Sequence, residues 1–139
     1  LEKDLKGDKP KMYHFTLARL KTAQDLVQRR LIYETMRQGR RQLPCFAGRI
    51  GAVMNEEGDV FPCEILHEKM GNIREAGYDF QTVFRSEQAN RVRAAINNTK
   101  CYCSHECYFV TNILFNPLMY GMVIRQYLDL PRKQSLIIA

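Results

Sequence analysis

The sequence has no run of about eighteen uninterrupted apolar residues, so no segment reads as a membrane-spanning helix. Its most apolar stretch, Phe109 to Ile124, is broken by Asn112, Asn116 and Pro117 and reads as a buried segment. There is no collagen period, no sustained heptad run, no internal repeat and no low-complexity tract, which excludes fibrous and coiled-coil architectures. No Ser/His/Asp set and no paired carboxylates stand out, so nothing points to hydrolytic chemistry. The chain opens at Leu1-Glu2-Lys3-Asp4 without a methionine or a signal-peptide pattern. The expectation is a fragment of a longer cytoplasmic protein.

What is present is ordinary for a globular domain: 139 residues, 45% apolar and 26% charged. That is enough apolar surface to offset the ordering entropy of about one domain. The net charge of +6 is unevenly placed. Residues 1–45 carry 11 Lys/Arg against 5 Asp/Glu, whereas residues 46–139 carry 10 of each. Arg29, Arg30, Arg37, Arg40 and Arg41 hold much of the excess. A basic helix can bind nucleic acid. No nucleic-acid motif or interleaved aromatic tract accompanies the charge, so a solvated face or an intramolecular docking surface is preferred. Neither nucleic acid nor membrane is expected as a partner.

The informative residues are the cysteines: Cys45, Cys63, Cys101, Cys103 and Cys107. An odd number cannot all pair within the chain. Three of them fall within seven residues, the wrong spacing for a secreted disulfide scaffold. Clustered thiols without a signal peptide suit metal binding, and soft thiolates suit zinc or an iron–sulfur cluster. Cys45 and Cys63 are separated by 17 residues, too many for a zinc knuckle but suitable for two ligands at the ends of a hairpin. His105 could ligate as well, although a hydrogen-bonded or exposed role is preferred; His14 and His67 are isolated and read as structural. Glu106 could cap a helix or pair with a base. Met119 and Met122 read as core filler.

Along the chain, residues 1–10 read as a loose lead-in. Residues 11–38 read as a helix with Tyr13, Leu17, Leu20, Ala23, Val27 and Leu31 on one face, stopped by Gly39. Ile50, Ala52 and Val53 form a strand-like run, Asn55 to Asp59 a turn in which Gly58 supplies positive φ, and Val60-Phe61 the return strand. Gly71-Asn72 marks another turn. Ser86 can cap a helix to Ile96 that buries Ala89, Val92 and Ile96, closed by Asn97-Asn98-Thr99. From His105 the chain reads as helical again, broken at Asn116-Pro117 and resumed from Leu118 to Leu128, with Pro131 as the stop. The fold class is α+β: a long N-terminal helix, a cysteine-bounded β-hairpin, a helix, the cysteine cluster and a C-terminal helical tail.

With these residues in view, the chain resembles the C-terminal auxiliary-cluster region, the SPASM or "twitch" domain, of radical S-adenosylmethionine proteins. That family opens with C-x(9–15)-G-x4-C; here Cys45, twelve residues, Gly58, four residues and Cys63 satisfy it. Gly58-Asp59-Val60-Phe61-Pro62-Cys63 resembles the family's G-D-V-x-P-C turn, and Gly71-Asn72-Ile73 its G-N-I. A helix then leads to Lys100-Cys101-Tyr102-Cys103-Ser104-His105-Glu106-Cys107. The likeness covers roughly residues 44–110. It implies three parts: 1–43 as a helical segment leading from a missing radical core, 44–110 as the cluster domain, and 111–139 as a C-terminal helical tail.

The departures matter. The two-cluster pattern ends C-x2-C-x5-C-x3-C with a further cysteine beyond, whereas this chain has C-x-C-x3-C and nothing after Cys107. Five cysteines permit one 4Fe-4S cluster and not two. The triad C-x3-C-x2-C that holds the catalytic cluster is missing, because position 110 is Val. S-adenosylmethionine is therefore expected only in the core domain of the parent chain, and this chain alone is not expected to cleave it. The resemblance implies Cys45, Cys63, Cys103 and Cys107 as ligands, with Cys101 as the spare or as a replacement for Cys103. Such a cluster carries net negative charge, and backbone N–H groups at Gly48 and Gly58 are expected to compensate it. Metal binding is expected to be coupled to folding of residues 44–107. The implied role is to help bind a peptide or protein substrate, or to transfer an electron. The alternatives are a structural zinc module in a nucleic-acid or protein interaction protein, and a metal-free helical interaction domain.

Overall fold

A computed structural model of the chain describes residues 16–130. Its elements are α1 (Ala18–Gln38), β1 (Val53–Met54), β2 (Asp59–Phe61), β3 (Gly71–Asn72), α2 (Phe80–Phe84), α3 (Glu87–Asn98), α4 (Glu106–Leu114) and α5 (Pro117–Asp129). The α+β class holds. Two cores form. In the helical one, Ala23, Leu26, Val27 and Leu31 of α1 meet Phe109 and Ile113 of α4, Val123 of α5, Leu43 and Leu130. In the other, Ala47, Val60, Met70 and Val83 pack with Ala89, Val92 and Ile96 of α3.

The helix α1 contains no glycine or proline and ends where Gly39 takes φ 60°, the left-handed conformation that glycine adopts at least cost. Tyr13 of the expected apolar face lies outside the described residues. Burial along α1 begins at Ala23; Leu17 at 61% and Leu20 at 40% remain exposed. The three-and-four spacing runs on into the first turn, but the packed face does not follow it. Arg19 instead ties that end down, donating to the Tyr127 and Leu130 carbonyls at 2.9 and 2.7 Å and lying 4.5 Å from the Tyr127 ring centroid. It thereby caps the C-terminus of α5.

The sheet is antiparallel, in the order β1-β2-β3, with Val53 opposite Phe61 and Val60 opposite Gly71. Gly58 takes φ 86° at the hairpin tip, as the turn requires. Two expectations fail here. Ile50 and Ala52 lie outside the ladder, because residues 46–51 close into a tight turn in which Arg49 and Ile50 donate to the Phe46 carbonyl. Gly71-Asn72 is a strand and not a turn. The Asn72 amide reaches the Asp59 carboxylate at 2.6 Å and Lys69 pairs with Asp59 at 2.5 Å, joining the two motif phrases across β2 and β3.

Helix α3 forms as the sequence indicates. The Ser86 hydroxyl accepts from the Ala89 N–H at 3.0 Å, and Ala89, Val92 and Ile96 are buried. Asn116 separates α4 from α5 and caps the latter, its side chain accepting from Leu118 N–H at 3.2 Å, with Pro117 in the first turn. The chain bends by 99° between these helices. No single helix among the described residues is long and apolar enough to cross a membrane, although the bent pair passes by length and composition together. Phe109–Ile124 is consequently not buried throughout. Phe109, Ile113 and Val123 are inside, whereas Leu114, Phe115, Leu118, Tyr120, Met122 and Ile124 are exposed, because only one face of each helix meets α1. Met119 packs partly against the core; Met122 does not.

Ile113 is 1% exposed and Leu118 is 81% exposed. Ile113→Ala is expected to lower the unfolding free energy by about 2–5 kcal/mol. Leu118→Ala should change it by less than about 0.5 kcal/mol. Urea titrations of the two variants check the pair.

Candidate metal centre

Between the two cores lies a cavity of ≈ 80 Å³. Four thiols line it: Cys45, Cys63, Cys101 and Cys103. They come from three segments, the loop after α1, the end of the hairpin and the turn after α3. Thr35 of α1, Arg41, Gln42, Ile96 of α3, and Phe109 and Asn112 of α4 are among the other residues of the wall. Cys107, in the first turn of α4, is exposed and does not line the cavity.

Local chemistry aims each segment. Gly48, three residues after Cys45, has φ 70°, and a Cβ there would stand 3.0 Å from Pro62 Cβ, so a side chain would be strained and crowded. Its N–H donates to the Pro62 carbonyl at 3.1 Å and to the Gly51 carbonyl at 3.0 Å. The loop carrying Cys45 is thus stitched beside Cys63. Cys101 is set by the end of α3, where Lys100 has φ 51°, Lys100 N–H donates to Asn97 and Cys101 N–H donates to Ile96. This is a Schellman closure with lysine where glycine is usual. Arg41 also reaches the Ile96 carbonyl, at 3.4 Å.

Helix α4 fastens the other side. Tyr108 and Asn112, four residues apart on one face, reach two different cysteine loops. The Tyr108 hydroxyl donates to the Pro62 carbonyl at 2.7 Å, and the Asn112 side-chain oxygen accepts from Phe46 N–H at 2.7 Å. His105 Nε2 stands 2.8 Å from a Glu64 carboxylate oxygen, a hydrogen-bonded role as expected. His67 is exposed, His14 lies outside the described residues, and Glu106 is exposed in the acidic first turn of α4. Neither Tyr108 nor Asn112 stood out in the sequence; their i,i+4 spacing directly after Cys107 was the available signal.

The glycine N–H groups do not act as expected. Gly58 N–H is spent on the Asn55 carbonyl at the hairpin tip, and Gly48 N–H on Pro62 and Gly51. The donor to sulfur is instead Leu66 N–H, 3.3 Å from Cys63 Sγ, and the His105 backbone N–H favours the charged form of Cys103. Burial pushes the Cys101 and Cys103 thiols up, and neighbouring thiols add to it; for Cys101 the Arg41 charge opposes the rise. Converging thiolates are therefore unfavourable here unless a soft cation compensates them, which is the chemistry of a thiolate metal site. No three His, Cys, Asp or Glu side chains among the described residues converge on one point closely enough to hold a single metal ion. Four thiols spread around a cavity suit a cluster, in which each binds its own iron. A single zinc needs all four within about 2.3 Å of one point.

Residues 45–108, a little under half of the chain, match the family model of the SPASM iron–sulfur cluster-binding domain. The match begins at the first cysteine of the cavity and ends one residue after the last cysteine of the chain. No curated protein and no solved structure matches the chain.

Burial, followed by the Cys63 and Cys45 charges, pushes the Tyr108 phenol up to about 12. Its folded value exceeds the usual 10.0, so it contributes stability that is complete below pH 10 and lost as the pH rises through about 12. Tyr108→Phe is expected to cost about 0.5–1.5 kcal/mol through the lost bond to Pro62. It should also remove the highest-pH phase of the tyrosinate absorbance titration.

Proposed function

We propose that residues 45–108 hold one 4Fe-4S cluster as the auxiliary centre of a radical S-adenosylmethionine enzyme, whose catalytic cluster belongs to a core domain of the parent chain. The observation that carries this reading is the convergence of thiols from three separated segments on one cavity within the matched region. When bound, the cluster supplies a one-electron redox couple close to where a peptide or protein substrate would be oriented.

The chain's own residues have definable parts in that role. Cys45 and Cys63 belong to the ligand set on every view of the site, and Cys103 belongs to it unless Cys101 takes its place. Cavity lining supports Cys101 as the fourth ligand, and the C-x3-C spacing supports Cys107. Leu66 N–H orients the Cys63 sulfur, the His105 N–H favours the charged form of Cys103, Ile96 and Phe109 line the cavity with apolar groups, and Arg41 places positive charge near a negative centre. Leu114, Phe115, Leu118, Ile124 and Leu128 are large apolar side chains left exposed on the C-terminal helices, which supports docking of the core domain there.

Anaerobic reconstitution followed by iron and labile-sulfide analysis tests the reading. The expected content is about four of each per chain. Cys45→Ala, Cys63→Ala, Cys101→Ala and Cys103→Ala should each lose most of the visible absorbance, and Cys107→Ala should keep it. Retention in Cys101→Ala with loss in Cys107→Ala would move the fourth ligand to Cys107. One zinc per chain and no labile sulfide would replace the cluster with the structural zinc module.

A further inference from the structure

Thr35 lies ten residues before the first cysteine, on α1 and outside the segment that matches the family model. It is 1% exposed and lines the cysteine cavity. Its hydroxyl is buried with no hydrogen-bond partner among the described residues. This is unusual for a helical threonine, which ordinarily spends its hydroxyl on the carbonyl four residues back. Thr22 and Thr111 do so, to Ala18 and Cys107 at 2.9 and 3.1 Å, as does Thr99 at the end of α3, to Ala95 at 2.8 Å. Thr82 in the short α2 donates to the Asp79 carboxylate at 2.6 Å. Thr35 leaves its donor unspent, and it lines the same cavity as the four thiols. An interior hydroxyl left in that state is costly, and a valine of the same shape would avoid the cost. The lining also carries the amide oxygens of Gln42 and of Asn112, the latter accepting from Phe46 N–H, and the four thiols are its most numerous acceptors.

We infer that the Thr35 hydroxyl donates a hydrogen bond to sulfur of the group held in the cavity, either a cysteine thiolate or an inorganic sulfide. The inference rests on the reading that this group is an iron–sulfur cluster. It makes α1 part of the cluster-binding unit, together with Arg41 just beyond its end. A donor to cluster sulfur favours the more negative, reduced state and so raises the midpoint potential. Thr35 is thereby a positioning and tuning residue and not a ligand.

Redox titration of the cluster-loaded full chain, followed by electron paramagnetic resonance, tests it. Thr35→Val is expected to shift the midpoint potential to a more negative value at unchanged iron content, and Thr35→Ser to leave it within error of the parent. In the iron-free chain, Thr35→Val should unfold at the same temperature or higher, because it removes an unpaired hydroxyl; a purely structural role would lower that temperature. Equal potentials for the parent and Thr35→Val, or an equal shift in Thr35→Ser, would overturn the inference and leave the cluster reading intact. A chain that takes up no iron and sulfide overturns both, and iron analysis separates that outcome from the first.

Discussion

The carbonyl oxygen of Pro62 is where the site is tied together. It precedes Cys63 and accepts two hydrogen bonds, from Gly48 N–H on the loop after Cys45 and from the hydroxyl of Tyr108, next to Cys107. Three cysteine-bearing segments, distant in sequence, are registered by one buried acceptor. Each bond contributes about 0.5–1.5 kcal/mol net, but an unpaired buried carbonyl would cost more than either supplies. The arrangement favours glycine at position 48: its φ is positive, and a Cβ there would meet Pro62 Cβ at 3.0 Å. Asn112 repeats the device one turn along α4 by accepting from Phe46 N–H. The thiols are thus held near one another by neutral polar bonds that do not themselves require metal.

What those bonds cannot remove is the electrostatic cost of the thiolates. Burial and mutual repulsion hold Cys101 and Cys103 toward the protonated form. Metal binding would reverse that preference, because a soft cation stabilises the deprotonated sulfur that burial disfavours. Helix α1 enters this balance from outside the matched segment, through Thr35 and the neighbouring Arg41 on the cavity wall. Its apolar side is committed to α4 and α5, so the helical core and the cysteine site share one scaffold.

Local signals were legible in the sequence, and long-range ones were not. The Ser86 cap, the Gly58 turn, the Gly39 stop and the Asn116-Pro117 break each depend on a few consecutive residues, and all four stand where the spacing places them. The spacing of Cys45, Gly58 and Cys63 carried the family. The pairing of Gly71-Asn72 with β2 depends on a partner strand, and the exposure of Leu17, Leu118 and Ile124 on which helix faces meet. Ile50 was lost from the ladder to a turn set by Gly48 and Gly51. The end of α3 at Lys100 carried no glycine to announce its left-handed residue. Which cysteines face the cavity was least legible of all. Cys101 and Cys107 lie on either side of Cys103 in sequence, and only the Schellman closure at one and the helical turn at the other separate them.

Iron K-edge X-ray absorption of the reconstituted chain tests most directly whether separate segments gather around iron and inorganic sulfide. A four-iron cluster bound by thiolates predicts sulfur as the dominant first neighbour of iron, with a strong iron–iron vector just beyond it. Iron with oxygen or nitrogen neighbours and no iron–iron scattering would contradict it.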